Sequence, residues 1–142
     1  MTVKLSSEEL RYIALFEGLT GARIKDCVVD EDHGLVTFVV SEGDMGLAIG
    51  KGGIRIKKVK NAIGKTVGVF EYSDDPEGFL KNILKPAKVN SVKFKEEGDR
   101  RVAEVTVDPM DKGVLLGKGG KRILNAKKLA QRHHQIGDIV VK

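Results

Sequence analysis

The chain contains no tryptophan, and its aromatic residues are limited to five phenylalanines and two tyrosines among 142 residues. Proteins that bind single-stranded nucleic acid on a broad surface of aromatic rings need more such residues. The sequence also has no apolar run of about 18 residues, the length that a membrane-spanning helix requires. A wide stacking surface and a transmembrane protein are therefore both excluded as interpretations.

Cysteine is almost absent as well, because Cys27 is the only one and no disulfide can form within the chain. Such a chain is typical of the reducing cytosol, and the N-terminal residues show no apolar core of a signal peptide. We therefore expect a cytoplasmic protein that contacts no membrane. We expect Cys27 to be a small packed residue in a strand.

Acidic residues are missing from two windows of the chain, residues 45–70 and 112–137. These windows carry 13 of the 25 basic residues and none of the 20 acidic ones. The modest net charge of +5 therefore conceals two basic regions on an otherwise acidic chain. Such regions favour a polyanion as the partner.

Each basic window contains the same glycine-rich tetrapeptide. Gly50-Lys51-Gly52-Gly53 recurs 67 residues later as Gly117-Lys118-Gly119-Gly120, and an apolar residue, Ile49 or Leu116, precedes each copy. The glycines allow positive φ and leave only the lysine side chain, so a ligand can approach the backbone. A helix predicted directly after each loop adds unpaired N–H groups and a positive dipole end, which suit a phosphate.

Other phosphate-binding loops do not fit this spacing. The Walker motif needs four residues between its first glycine and Gly-Lys, but only three separate Gly46 from Gly50, and Gly52 stands where Ser or Thr is required. The dinucleotide fingerprint needs a glycine where Arg55 and Arg122 stand. A nucleotide-hydrolysing enzyme is therefore poorly supported.

The segments Ala48–Ile54 and Leu115–Lys121 resemble the GXXG signature of KH domains. Two copies in one chain are similar to the paired KH region of the NusA family, above all its short archaeal form, and the resemblance covers essentially the whole chain. It implies two tandem type II KH domains, residues 1–73 and 74–142, each an α+β fold with a three-stranded sheet covered on one face by helices. Bacterial members carry further polymerase-binding and S1 domains with no counterpart here, so RNA polymerase is only a candidate partner.

The residue pattern itself predicts the order α-β-β-α-α-β in each half. Asp44 is the predicted cap of a short helix, and Gly64 and Gly137 are the predicted ends of the helices that follow the loops. The predicted elements are a helix from Ser7 to Gly18 or Gly21, strands 22–29 and 35–40, helices 45–49 and 54–63 and a strand 66–72, then a helix from Pro76 to Pro86, strands 89–95 and 101–107, helices 111–116 and 121–134 and a strand 139–141.

The predicted RNA-binding residues fall into three groups. The loop glycines, Gly50, Gly52, Gly53, Gly117, Gly119 and Gly120, permit close approach of the backbone. Lys51 and Lys118 contact phosphates. Ile49 and Leu116 either pack in the core or, as the resemblance implies, form the floor of a groove for bases. The candidates for a flanking positive field are Arg55, Lys57, Lys58, Lys121, Arg122, Lys127 and Lys128.

The sequence predicts binding rather than catalysis. His133-His134 has no cysteine or histidine partner at ligand spacing, so we expect no metal, and nothing in the sequence indicates another cofactor. A KH groove clamps about four nucleotides without aromatic residues, which favours single-stranded RNA, here a nascent transcript, in elongation or termination. The alternatives are a ribosome- or RNA-processing-associated KH cofactor and a protein–protein adaptor whose loops are only structural.

Overall fold

The computed structural model describes residues 4–116 and 120–142. Gly117, Lys118 and Gly119 of the second predicted loop therefore lie outside the described residues. The chain divides into two compact units with the boundary between Ser73 and Asp74. In the part that the structure describes, no helix is long and apolar enough to cross a membrane.

The first unit has the predicted order of elements. Helix α1 begins with the predicted capping box, in which Ser6 and Glu9 each bind the backbone N–H of the other. Strand β2 lies at the centre of the sheet, antiparallel to β1 and parallel to β3. The elements are α1 (Ser7–Thr20), β1 (Ile24–Asp30), β2 (Leu35–Val40), α2 (Met45–Ile49), a single 3-10 turn (Lys51–Gly53), α3 (Ile54–Ile63) and β3 (Thr66–Glu71).

The core of the first unit lies between one face of the sheet and the helices. Alternate residues of β2 point to this face, and the ring of Phe38 lies 4.6 Å from that of Phe16 on α1, centroid to centroid. Cys27 is fully buried on β1, as predicted. Each large side chain buried here contributes about 1.5–3 kcal/mol. The core consists of Phe16, Ala22, Cys27, Val36, Phe38, Val40, Ala48, Ile56 and Val59.

The second unit repeats the arrangement, with strand order β4-β5-β6 and the same strand directions. The α-β-β-α-α-β prediction is thus confirmed in both units. The outer face of this sheet carries a cluster of charged side chains. Oε2 of Glu104 lies 2.9 Å from Nζ of Lys95 and 3.3 Å from Nζ of Lys142. The elements are α4 (Pro76–Ile83), β4 (Val89–Glu97), β5 (Arg100–Val107), α5 (Pro109–Leu116), α6 (Lys121–His134) and β6 (Ile136–Val141).

Two predicted helix boundaries and one predicted C-cap in the second unit are wrong. Helix α4 ends at Ile83 and not at Pro86. Helix α5 begins at Pro109, two residues early, because proline suits the first helical position. Helix α6 spans the predicted residues 121–134, but its C-cap is Gln135, which has a φ of 53°, and not Gly137. Gly137 lies in β6 as the extra residue of a bulge, where a Cβ would be only 2.9 Å from Cβ of Arg100.

Candidate nucleic-acid interface

The first glycine loop has the backbone conformation that its composition predicts. Gly50, Gly52 and Gly53 have φ values of 73°, 65° and 75°. The N–H of Gly53 donates to the carbonyl of Gly50 at 3.0 Å and closes the turn. Helix α3 begins at the next residue, where the N–H of Ile54 donates to the carbonyl of Lys51 and no side chain caps the helix.

Arg55 packs back over the first glycine of this loop. Its guanidinium donates to the carbonyl of Leu47 near the end of α2, with Nη1 3.3 Å from the oxygen. A Cβ at Gly50 would lie 2.9 Å from Cγ of Arg55. Arg55 therefore ties the two helices together across the loop, a role that the residue pattern did not signal.

The lysines of the first site remain open to solvent. Lys51, Lys57 and Lys58 are exposed, and none of them forms an ion pair with another described residue. Ile49 is half-buried against the core of the unit, as expected for a packing residue. Ile54, the first residue of α3, is 54% exposed and places an apolar side chain beside the cations.

The described part of the second loop matches the first. Gly120 precedes α6 with a φ of 68°, and a Cβ there would lie 3.5 Å from Cγ2 of Ile123, much as one at Gly53 would lie 3.8 Å from Ile56. Leu116, before the loop, is 46% exposed. On α6, Lys121 is half-buried, while Arg122 and Lys128 are exposed.

Lys127 is the one predicted field residue that an acid partly neutralises among those that the structure describes. Its Nζ lies 3.1 Å from Oδ1 of Asp138, and Arg100 lies 3.7 Å from the other oxygen. Burial raises the pKa of Asp138, but hydrogen bonds from Lys127 and from the N–H of Ile139 outweigh it, so the pKa lies below the ordinary 3.8. Asp138 lies one residue beyond the basic window, which is why the charge count did not include it.

An acidic residue anchors the short helix before each loop. Asp44 is the N-cap residue of α2, as predicted, but its side chain makes no capping bond. Its Oδ2 instead accepts the N–H of Arg23 at 2.9 Å, and Oδ2 of Asp111 accepts the N–H of Lys88 at 2.9 Å. Both bonds join residues more than 20 positions apart, so local sequence patterns could not reveal them.

The histidine pair lies against an aromatic ring. The centroids of His133 and His134 are 5.6 Å and 5.2 Å from that of Phe79. Across residues 4–116 and 120–142, no group of three or more His, Cys, Asp or Glu side chains is placed to hold a metal ion.

Comparison with known protein families identifies the family to which this fold belongs. A KH-domain model matches residues 10–98, and a model of the NusA-like second KH domain matches residues 76–139. The chain belongs to the NusA family of KH-domain proteins. The predicted resemblance and the tandem type II KH fold are thereby confirmed.

Members of the NusA family from archaea are similar to this chain over nearly its full length. A "probable transcription termination protein NusA" of Halobacterium salinarum is 43% identical, with 98% of each chain covered. The protein with that description in Methanocaldococcus jannaschii is 38% identical, with 98% of this chain and 75% of the relative covered. The crystal structure of APE1850 has a TM-score of 0.82 and 37% identity, and the match covers 97% of this chain and 100% of that one.

Proposed function

We propose that this NusA-family protein binds single-stranded RNA through its two glycine loops and acts on nascent transcripts in termination or elongation. The observation that carries the proposal is the loop Gly50–Gly53, which presents bare backbone and the exposed Lys51 at the start of α3. Relatives described as probable transcription termination proteins support the cellular role.

The loop recognises a sugar–phosphate backbone by two effects. Positive φ at Gly50, Gly52 and Gly53 turns the chain without side chains, so a phosphate can approach the positive end of the α3 dipole, which no side chain covers as a cap. Lys51 then supplies a mobile positive charge, which suits phosphates that differ in position from one nucleotide to the next. The protein binds RNA and does not alter it chemically.

The same geometry distinguishes this proposal from a protein–protein adaptor. An adaptor would use the glycines only to connect α2 to α3, and the lysines would then be dispensable. The charges of Lys51, Lys57 and Lys58 are not neutralised by any acid that the structure describes, which favours an anionic ligand. RNA polymerase remains a proposed second partner, to be sought by co-purification with the tagged protein.

A charge-reversal experiment tests the proposal. Lys51→Asp combined with Lys118→Asp should abolish binding to single-stranded RNA in a filter-binding titration, because each loop would repel phosphate. The matched control is Lys4→Asp with Lys85→Asp, which changes the net charge equally at two exposed lysines outside the basic windows. Circular dichroism should show both double variants folded. Equal RNA affinity in the two variants would refute the loops as the site.

A further inference from the structure

The first helices of the two units differ at one aromatic position. Helix α1 carries Tyr12, and helix α4 carries Phe79. Phe79 is fully buried. Tyr12 is only half-buried and packs against the edge of the core of its unit. The ring of Tyr12 is thus more exposed than that of Phe79.

The length of the helix after each loop explains this difference. Helices α3 and α6 begin at equivalent positions, but α3 has 10 residues and α6 has 14. The additional turn of α6 carries His133 and His134, whose rings lie against Phe79. Helix α3 instead ends before Gly64, which has a φ of 71°, and no corresponding turn covers Tyr12.

Two cations take the place of that turn beside Tyr12. Nζ of Lys65 and Cζ of Arg11 each lie 5.9 Å from the centroid of the ring. Neither cation has an ion-pair partner among the residues that the structure describes, and Glu8, one turn earlier on α1, makes no ion pair with Arg11. A half-exposed ring with two unneutralised cations can bind a base and its neighbouring phosphate.

The exposed face of α3 connects this cluster to the glycine loop. Lys57, Lys58 and Asn61 are exposed along it, and residues 45–70 contain no acid. A helix of ten residues is about 15 Å long, so the loop and the ring lie near opposite ends of α3. Stacked nucleotides rise by about 3.4 Å each, so about four more would reach Tyr12 from the loop.

We propose that Tyr12, together with Arg11 and Lys65, forms a second RNA-contact site that stacks one base of a strand held at the loop Gly50–Gly53. The proposal rests on the proposed function, because it needs the loop to hold RNA first. In the second unit, His133 and His134 of α6 lie against the aromatic ring of the first helix, that of Phe79.

The first test varies the length of the RNA. Tyr12→Leu keeps an apolar side chain against the core but removes the ring. Affinities are measured by fluorescence anisotropy for RNAs of about four and about ten nucleotides, the shorter sufficient for one KH groove. We expect Tyr12→Leu to weaken binding of the longer RNA about 5- to 100-fold, the range for loss of one stacked base, and Tyr12→Phe to restore it. Equal affinity of wild type and Tyr12→Leu for the longer RNA would overturn the site.

A second test does not depend on the stability of that variant. The protein has no tryptophan and only two tyrosines, so Tyr72→Phe leaves Tyr12 as the only strong intrinsic fluorophore. Stacking of a base should quench its emission when the longer RNA saturates the protein, and unchanged emission would overturn the site. If the lysine reversals at the loops lower affinity while Tyr12→Leu does not, this inference alone is wrong. If the wild-type protein binds neither RNA, the proposed function is wrong as well.

Discussion

Gly50 has a φ of 73° and lies against the stem of Arg55, so two separate constraints act on this residue. Gly52 and Gly53 are under one constraint each: Gly52 has a φ of 65° with open space where a Cβ would be. Gly46, in α2, has neither constraint. Gly50 and Gly52 also differ in ψ, which is 170° at Gly50 and 17° at Gly52.

Gly50→Ala should destabilise the protein by about 1–3 kcal/mol, because the Cβ would add a clash to a left-handed backbone. Gly52→Ala should cost about 1–2 kcal/mol from the backbone alone. Gly46→Ala should instead stabilise α2 by about 0.5–1 kcal/mol. Urea unfolding followed by circular dichroism measures all three, and a cost at Gly50 no larger than that at Gly52 would show that Arg55 simply moves away.

At the scale of the elements, long-range polar contacts hold the short helices before the loops. Asp44 and Asp111 bind the backbone ahead of the first strand of each unit, at Arg23 and Lys88. These contacts hold the N-terminal ends of α2 and α5 to the start of the first strand of each unit.

Asp44→Ala and Asp111→Ala should each destabilise the protein by about 1 kcal/mol through loss of one hydrogen bond from a backbone N–H. The control is Asp32→Ala, which removes an exposed carboxylate from the β1–β2 turn. Urea midpoints of the three variants give the comparison. A loss at Asp32 equal to the other two would assign the effect to general charge and not to the contacts.

Asp138 links α6 to the β5 and β6 strands through Lys127 and Arg100, and its stabilising effect should depend on pH. Because its pKa is lowered in the folded state, the stabilisation is present above 3.8 and is lost as the pH falls through the lower folded-state pKa. Asp138→Asn should therefore cost about 0.5–1 kcal/mol at neutral pH, the range for a partly exposed ion pair. That cost should disappear in strong acid.

The measurement is urea unfolding of wild type and Asp138→Asn at several pH values, with Asp99→Asn in the exposed β4–β5 turn as the control. A difference between wild type and Asp138→Asn that stays constant at every pH would contradict the ion-pair explanation.

Local patterns predicted most of the elements because the signals that define them are local. The capping box at Ser6, the end of α3 at Gly64 and the β-branched run of β2 depend only on neighbouring residues. Two of the errors occurred where distant residues decide. Gly137 is required by Arg100 on the adjacent strand and not by the end of a helix, and Asp44 binds a residue of another segment.

The candidate site likewise has some features that neighbouring residues determine and others that distant contacts determine. The glycine loop could be identified from four residues, since its conformation follows from its composition. The partner of Lys127, the packing of Arg55 over Gly50 and the exposure of Tyr12 depend on how helices of different length lie on the sheet. Periodicity does not determine those contacts.

At the scale of the whole molecule, the decisive feature is the separation of charge along the chain. The two basic windows hold 13 cations and no acid, while the remaining 90 residues hold 12 cations and 20 acids. Binding of RNA should therefore be driven by release of counterions from the phosphates and not by the small net charge.

RNA affinity should fall steeply as salt rises, with a slope of about −0.7 in log–log terms for each phosphate contacted. One groove that holds about four nucleotides then predicts about a 50-fold loss when the salt concentration rises fourfold. Titrations of wild type at several salt concentrations give the slope, and the Lys51→Asp and Lys118→Asp single variants should each flatten it. An affinity independent of salt would contradict phosphate binding.

The left-handed glycines around Lys51 have a consequence for how such a loop can evolve. Among the residues that the structure describes, Gln135 is the only one other than glycine with a positive φ, so Lys51 has an ordinary backbone. Its side chain can change without penalty to the main chain, whereas the glycines beside it cannot. Natural selection can therefore change the affinity for a ligand by replacing the side chain of Lys51, while the glycines keep the conformation of the turn.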